Sequence, residues 1–287
     1  MRAVTERLER YQLRGNRLAM IGLAVLGAVA LMAVFGPFIA PYDPLEQDLA
    51  SRLLTPSWDH PMGTDDLGRD ILSRILAGAS VSLSIGITVV AITATFGTLL
   101  GFLAGYIGGA VDEAVMRVVD VVLAFPSIIL ALVIAGLLGP GFENVVIALA
   151  LTQWPAYTRL VRGTTLSVRE MEYVEAAKAI RAPRRHIIVR HVMPNAIHPV
   201  VVLVTLDIAT TIIFASALSF LGVGIQPPQA EWGSMLKAGI PYLRSYPHVT
   251  FFPGLMIMLT VLAFNFVGDG LRDAIDPKRE EMMVVRG

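Results

Sequence analysis

Apolar residues gather in six long runs separated by short polar breaks. The runs are Leu18–Ile39, Val81–Ile107, Val115–Leu138, Val145–Leu160, Ile197–Leu221 and Val249–Val267. A bilayer core takes about 20 mostly apolar residues per helix, so each run predicts a transmembrane helix. The fourth is short and ends in Gln153, Trp154 and Pro155, which leaves its boundary loosely defined. The first follows Arg2, Arg7, Arg10, Arg14 and Arg17, as a signal peptide would. It exceeds the roughly 7–15 residues of a signal core, and no small-residue cleavage site follows, so it reads as a retained anchor. Breaks at Ala40-Pro41, Gly108-Gly109, Gly139-Pro140-Gly141 and Gln226-Pro227-Pro228 fall at span ends. With no internal repeat, the pattern predicts one all-α polytopic membrane domain with two external loops.

Composition narrows the class. Of 287 residues, 55% are hydrophobic and 16% charged, against about 25% charged in a soluble domain. The mean hydropathy is +0.65. A typical soluble enzyme and a disordered chain are excluded. Net charge is zero, so no basic excess favours nucleic acid. Cysteine is absent, which excludes a disulfide framework and a thiolate metal site.

The distribution of charge predicts orientation. With the N-terminus inside, the cytoplasmic segments hold 18 Lys and Arg and the external ones five. Eight of the 18 lie in one loop: Arg159, Arg162, Arg169, Lys178, Arg181, Arg184, Arg185 and Arg190. The positive-inside rule then gives N-in and C-in. The predicted divisions are 1–40 (tail and first helix), 41–78 (an acidic external segment), 79–273 (core, with a cytoplasmic loop over 162–195) and 274–287 (tail).

Reactive constellations are missing from the sequence. His60, His186, His191, His198 and His248 form no HExxH, and no two are four apart. No Gly-x-Ser-x-Gly elbow occurs. Lys178, Lys237 and Lys278 do not follow glycine, so there is no P-loop. Any ATP would act on a second chain.

The loop Ser167–Asn195 is long and basic, yet it reads as structure. Glu170 to Ile180 is rich in helix formers. Arg181-Ala182 interrupts the run, and Pro183 suits the first turn of a second helix, where its missing N–H costs nothing. That helix runs to about Val192 and stops near Pro194. The result is a helical hairpin whose small residues Ala176, Ala177 and Ala179 are open to close contact. Composition leaves two readings open: a basic loop on anionic lipid, or a docking element for a cytoplasmic partner.

The motifs here resemble a known family. Tyr173-Val174-Glu175-Ala176-Ala177, with Pro194 nineteen residues after Glu175, resembles the EAA loop of ATP-binding-cassette (ABC) importer permeases. His60-Pro61-Met62-Gly63-Thr64-Asp65, Leu67-Gly68-Arg69-Asp70 and Ser73-Arg74 resemble the first external segment of the dipeptide/oligopeptide/nickel permeases, C-type subunit. Leu218-Ser219-Phe220-Leu221-Gly222, Gln226-Pro227-Pro228 and Glu231-Trp232-Gly233 resemble their second external loop. Asn265, Gly268-Asp269-Gly270-Leu271-Arg272-Asp273 and Asp276-Pro277 resemble their C-terminal end. One departure stands out: Arg181 occupies the family's loop glycine. If that position needs φ > 0, a non-glycine residue costs about 1–2 kcal/mol.

The resemblance implies a type I ABC importer permease fold with six transmembrane helices in a bacterial inner membrane. It implies a non-catalytic chain with no cofactor of its own, ATP and Mg residing on partner subunits. The implied partners are a homologous second permease, two cytoplasmic ATP-binding subunits and an extracytoplasmic substrate-binding protein. The coupling residues it assigns are Tyr173, Val174, Glu175, Ala176, Ala177, Lys178, Ile180, Arg181, Ala182, Pro183 and Pro194. The implied cargo is a di- or oligopeptide, with nickel or another small solute such as glutathione as the alternative within the family. A stand-alone secondary transporter is the alternative from another class.

Several positions carry paired expectations. Asp207 lies about 12–15 Å beyond its helix start. It either lines the path, with Asn265, or bonds to Thr210 or Thr211. Asp120 is expected to pair with Arg117. Gly97, Gly101, Gly105 and Gly109 form a serial GxxxG face for helix packing. Pro126 and Pro155 predict kinks. Asp66/Arg69 and Asp70/Arg74 have the spacing of solvated helical pairs, and Trp232 reads as an interfacial anchor.

Overall fold

The computed structural model describes residues 16–180 and 183–275. Arg181, Ala182, the arginines before Asn16, and the tail with Asp276, Pro277, Lys278 and Arg279 lie outside them. Among the described residues the fold is helical, apart from one isolated bridge between Thr64 and Asp70.

Helix α1 spans Arg17–Ile39; the Asn16 side chain caps it by accepting from the Leu18 and Ala19 amides. It leans on the rest through glycines. A Cβ on Gly22 would strike the Ala263 carbonyl at 2.8 Å, and one on Gly36 the Leu76 carbonyl at 2.5 Å. Most of its other side chains are exposed, as suits a lipid-facing helix.

Helix α2 spans Ile71–Ile107. It starts ten residues before the expected Val81 because Asp70 caps it, accepting from the Ser73 amide at 2.8 Å. Its polar first turns are buried under the loops that precede α2 and the helix Trp232–Gly239 rather than excluded from the helix.

The expected third span is two helices. These are α3 (Gly109–Leu123) and α4 (Ser127–Leu138), set at 84° to each other. The break falls at Pro126. Proline has no amide to donate and disfavours helical geometry in the residue before it. Backbone bonding stops at the Phe125 amide and resumes at the Ile129 amide.

Helix α5 spans Phe142–Arg169 and carries Pro155 inside it. A short hairpin follows: α6 (Glu172–Ala179), α7 (Arg184–Ile187) and a π-helical turn over Ile188–Val192. That turn runs directly into α8 (Met193–Leu221). Helix α9 (Trp232–Gly239) lies in the loop between α8 and α10 (His248–Ile275). Among the described residues, four helices are long and apolar enough to cross a membrane, or five with the bent pair as one span. Helix α5 has the length, at 28 residues, but its second half carries Arg159, Arg162 and Arg169.

Apolar packing falls into layers. An outer cluster joins Ile85 and Val89 of α2, Ala131 and Ala135 of α4, Val145 and Leu149 of α5, and Leu218 of α8. A second joins Val29, Ile71, Ile75, Trp232 and Val249. An inner cluster joins Val90, Tyr157, Val161, Ala196 and Val200. The hairpin has its own small core of Val168, Val174, Ala177, Ile187 and Val192.

Candidate functional site

The hairpin begins where α5 ends. Glu170 and Met171 turn the chain, and the Met171 carbonyl accepts from the Val174 and Glu175 amides at 2.9 and 3.1 Å. Glu172 and Glu175 sit in the first turn of α6, where the helix dipole favours carboxylates. Val174 is fully buried against the second arm, and Ala177 is 8% exposed. Tyr173, Glu175, Ala176, Ala179 and Ile180 face outward. Ala177 therefore belongs to the hairpin core and not to its open small face, as the sequence suggested. Helical spacing explains this, since Val174 and Ala177 are three apart and share one side.

The second arm also differs from expectation. Pro183 does open it, its carbonyl accepting from the His186 and Ile187 amides. The arm does not stop near Pro194. It passes through the π-turn into α8, with Pro194 in the first turn, a place where a missing amide costs little. The Tyr173 and His191 rings meet at a tilt of 47°, centroids 5.8 Å apart. Asn195 donates to the His191 carbonyl at 2.6 Å and to the Tyr173 hydroxyl at 3.3 Å, joining the two arms. Arg181 and Ala182, and the side chain of Lys178, lie outside the described residues.

Glycines lock the helix that leads into the hairpin. A Cβ on Gly97 would meet the Trp154 carbonyl at 2.5 Å, and one on Gly105 the Thr165 side chain at 2.9 Å. Gly101 packs equally tightly on Thr158. Thr158 Oγ1 donates to the Gly97 carbonyl at 3.1 Å. Gly109 takes no part: α2 has ended, φ is +57°, and nothing lies near it. Arg169, at the end of α5, closes the α2 terminus by donating to the Gly105 and Tyr106 carbonyls at 2.6 and 2.9 Å. Asp120 does not pair with Arg117, which meets Glu113. It bridges instead to Arg159 of α5 at 2.9 Å.

Inside the spans, Asp207 bonds to neither expected threonine. Thr210 donates to the Leu206 carbonyl and Thr211 to Gln153 Oε1 at 2.8 Å. Asp207 lies instead within interaction range of the Tyr157 hydroxyl, which Thr93 of α2 also approaches. Neither Asp207 Oδ2 nor Tyr157 Oη completes a hydrogen bond in good geometry. Asn265 is half-buried on α10. Among the described residues, no three His, Asp or Glu side chains gather as metal ligands.

The loops before α2 and α9 hold what the sequence reading missed. Asp65, Arg69, Asp70 and Arg74 are each 3–5% exposed, not solvated faces. Arg69 Nε donates to Asp65 Oδ2 at 2.7 Å, and Arg74 Nε approaches the same oxygen at 3.5 Å. Arg74 also donates to the Pro44 carbonyl at 2.8 Å. Asp70 holds His60 Nδ1 at 3.0 Å and Ser73 Oγ at 2.7 Å, and Tyr42 stacks on His60. Burial, then the charge of Asp65, pushes the Asp66 carboxyl above its ordinary range. Glu231 is fully buried at the start of α9, accepting from the Gly233 and Ser234 amides at 2.8 Å each. Burial pushes its carboxyl up. Trp232 is fully buried against Gly78, its Nε1 donating to the Ile75 carbonyl, so it is no interfacial anchor. The signal was available in part: Asp directly before an apolar helix, with Ser three on, is a cap pattern.

With the helices, the hairpin and the buried cluster of Asp65, Arg69, Asp70 and Arg74 in place, comparison assigns the class. Residues 97–281 match the family of binding-protein-dependent transport system inner membrane components, and the chain belongs to that family. Residues 9–56 match the N-terminal transmembrane domain of oligopeptide transport permease C. Among its relatives is the dipeptide transport system permease protein DppC of Alkalihalophilus pseudofirmus, 45% identical over 93% of this chain and 88% of that one. Another is the glutathione transport system permease protein GsiD of Escherichia coli, 46% identical over 92% and 88%. The fold is similar to the methionine ABC transporter MetNI, with TM-score 0.55 and 16% identity over 71% of this chain and 96% of that one. It is also similar to an amino acid ABC transporter, with TM-score 0.52 and 15% identity.

Proposed function

We propose that this chain is one of two homologous permease subunits of an ATP-driven peptide importer. In this reading it crosses the bacterial inner membrane six times, with both ends in the cytoplasm. Residues 41–78 form an external segment, 79–273 the core, and 1–40 and 274–287 the flanking parts. The bent pair α3–α4 and helix α5 supply the spans beyond the four evident ones. The 18-to-five bias of Lys and Arg supports the orientation.

The hairpin carries the proposal. Helix α6 hangs from the end of α5 on its own small core and turns Tyr173, Glu175 and Ala176 outward. A stiff element with small residues at its surface suits docking in a cleft of an ATP-binding subunit. Val174, Ala177, Pro183 and Pro194 shape that element, and Lys178, Ile180, Arg181 and Ala182 are proposed to take part in the coupling. ATP and Mg would act on two such partner subunits, and hairpin movement would rock the attached helices. An extracytoplasmic binding protein would deliver cargo to the external face.

The names of the relatives support a peptide cargo, since dipeptides and glutathione share ammonium, carboxylate and amide groups. Asp207 and Asn265 are proposed to line the path. Support comes from the Asp207 oxygen left without a hydrogen bond inside a bilayer segment. Asp207→Asn is expected to lower uptake of cationic peptides more than that of neutral ones. Unchanged preference would assign Asp207 to helix packing with Tyr157.

The deciding experiment is purification of the tagged chain in mild detergent, with identification of whatever accompanies it and an ATPase assay. A second permease and P-loop subunits, with hydrolysis stimulated by an external binding protein, is the expected result. A lone chain that moves solute in liposomes without ATP would replace the proposal with a secondary transporter.

A further inference from the structure

Two ion pairs join α3 to the inner half of α5. Arg162 holds Asp112 in a two-pronged contact, Nη2 to Oδ2 at 2.6 Å and Nε to Oδ1. Arg159 Nη2 holds Asp120 Oδ1 at 2.9 Å. Asp112 and Asp120 stand about two turns apart on one side of α3, and the two arginines are one turn apart on α5. Paired nitrogens on a carboxylate fix orientation as well as distance.

These contacts matter because α3 has little else to hold it. Among its residues only Val119 is buried. Helix α4 is different: Ala131 and Ala135 are fully buried in the outer cluster, against Val145, Val146 and Leu149. So α4 is fixed by apolar packing to the outer half of α5, and α3 by charge to its inner half. Two interruptions fall between these regions. One is the 84° break at Pro126, which no backbone hydrogen bond crosses. The other is Pro155, between the α4-packed residues of α5 and its two arginines, where the helix lacks one hydrogen bond. Below Pro155, α5 runs without interruption into the hairpin.

We infer that Arg159 and Arg162 are positioning residues that strap α3 to the coupling hairpin. The inner half of α5, α3 and the hairpin then move as one body together with α2, which Gly97, Gly101 and Gly105 lock to α5, and α3 turns against α4 at the Pro126 break. Hairpin motion would thereby reach the third span without direct contact between them. This rests on the reading of the hairpin as the ATPase dock.

Spin labels test it in the assembled transporter. This chain holds no cysteine, so it carries only the introduced pair, and it is labelled before assembly with its partners. Val118, Leu137 and Ser167 are exposed on α3, α4 and the end of α5. Between the nucleotide-free and ATP–vanadate states, the distance in Leu137→Cys/Ser167→Cys should shift by about 2–5 Å. The distance in Val118→Cys/Ser167→Cys should stay fixed. Adding Arg159→Gln and Arg162→Gln should broaden the second distance. The exchange Asp112→Arg with Arg162→Asp should keep it narrow, a rescue that loss of folding would not give. A Val118–Ser167 distance that moves as far as Leu137–Ser167 overturns the strap. Absence of any nucleotide response at Leu137–Ser167 overturns the turning at Pro126, whereas failure of the docking reading is a second and different outcome. Uptake of a labelled dipeptide by the Glu175→Lys transporter marks that second failure separately.

Discussion

Asp70 closes three contacts at once: the Ser73 amide, the Ser73 hydroxyl and His60. Replacing it with Ala removes a helix cap and strands buried partners, so Asp70→Ala should cost about 2–4 kcal/mol. The thermal midpoint of the purified chain reads this, and a shift no larger than that of an exposed control would refute it. Asp66 offers a pH test. Its carboxyl is raised above its ordinary 3.8 by partial burial and by Asp65, with Arg69 opposing. A raised carboxyl binds its proton more tightly in the folded state than in the unfolded chain. Stability from this group is therefore present at low pH and lost as pH rises through the raised value. Asp66→Asn removes that loss. It should raise the thermal midpoint at neutral pH, with the gain vanishing below the ordinary carboxylate range. An equal gain at all pH values would point to a cause other than charge.

At the scale of elements, the contact between α2 and α5 is the tightest test of packing. Gly101 admits the Thr158 backbone where a methyl would stand, so Gly101→Ala should destabilise the chain by about 1–3 kcal/mol. The same change at Gly109, beside open space, would report only backbone strain at positive φ. Gly136, exposed to no neighbour within 4 Å on α4, is the neutral control. If Gly101→Ala and Gly136→Ala melt together, the close approach is not limiting. This contact was legible in the sequence because Gly97, Gly101 and Gly105 repeat at a helical period. Gly109 broke the rule because Gly108 had already ended the helix at φ +73°. The bent third span was only half legible: Pro126 predicted a kink, but no local rule sets an angle of 84°. The hairpin was legible as two arms, and the inward turn of Ala177 follows from its spacing to Val174. The buried clasp of Asp65, Arg69, Asp70 and Arg74 was hidden. Its partners come from the Pro44 and Pro228 carbonyls, 30 and 154 residues away from Arg74, a separation that no pattern along the chain encodes.

At the scale of the molecule, the proposed coupling makes Glu175 decisive. It stands on the outward side of α6, so Glu175→Lys should leave membrane insertion intact. ATP-driven uptake should fall to background. Normal uptake by this variant would sink the docking role. The broken third span has a further consequence, electrical in kind. Helix α4 has 12 residues and is roughly 18 Å long, against a hydrocarbon core of about 30 Å. In the six-span orientation proposed here, the ion pairs of α3 would fall where lipid otherwise continues. Water solvating them would bring the conducting phase inward, and the insulating layer in this sector would then be reduced to about the length of α4. The membrane voltage would then fall across little more than half the usual thickness. A charged group crossing there would feel a correspondingly steeper field.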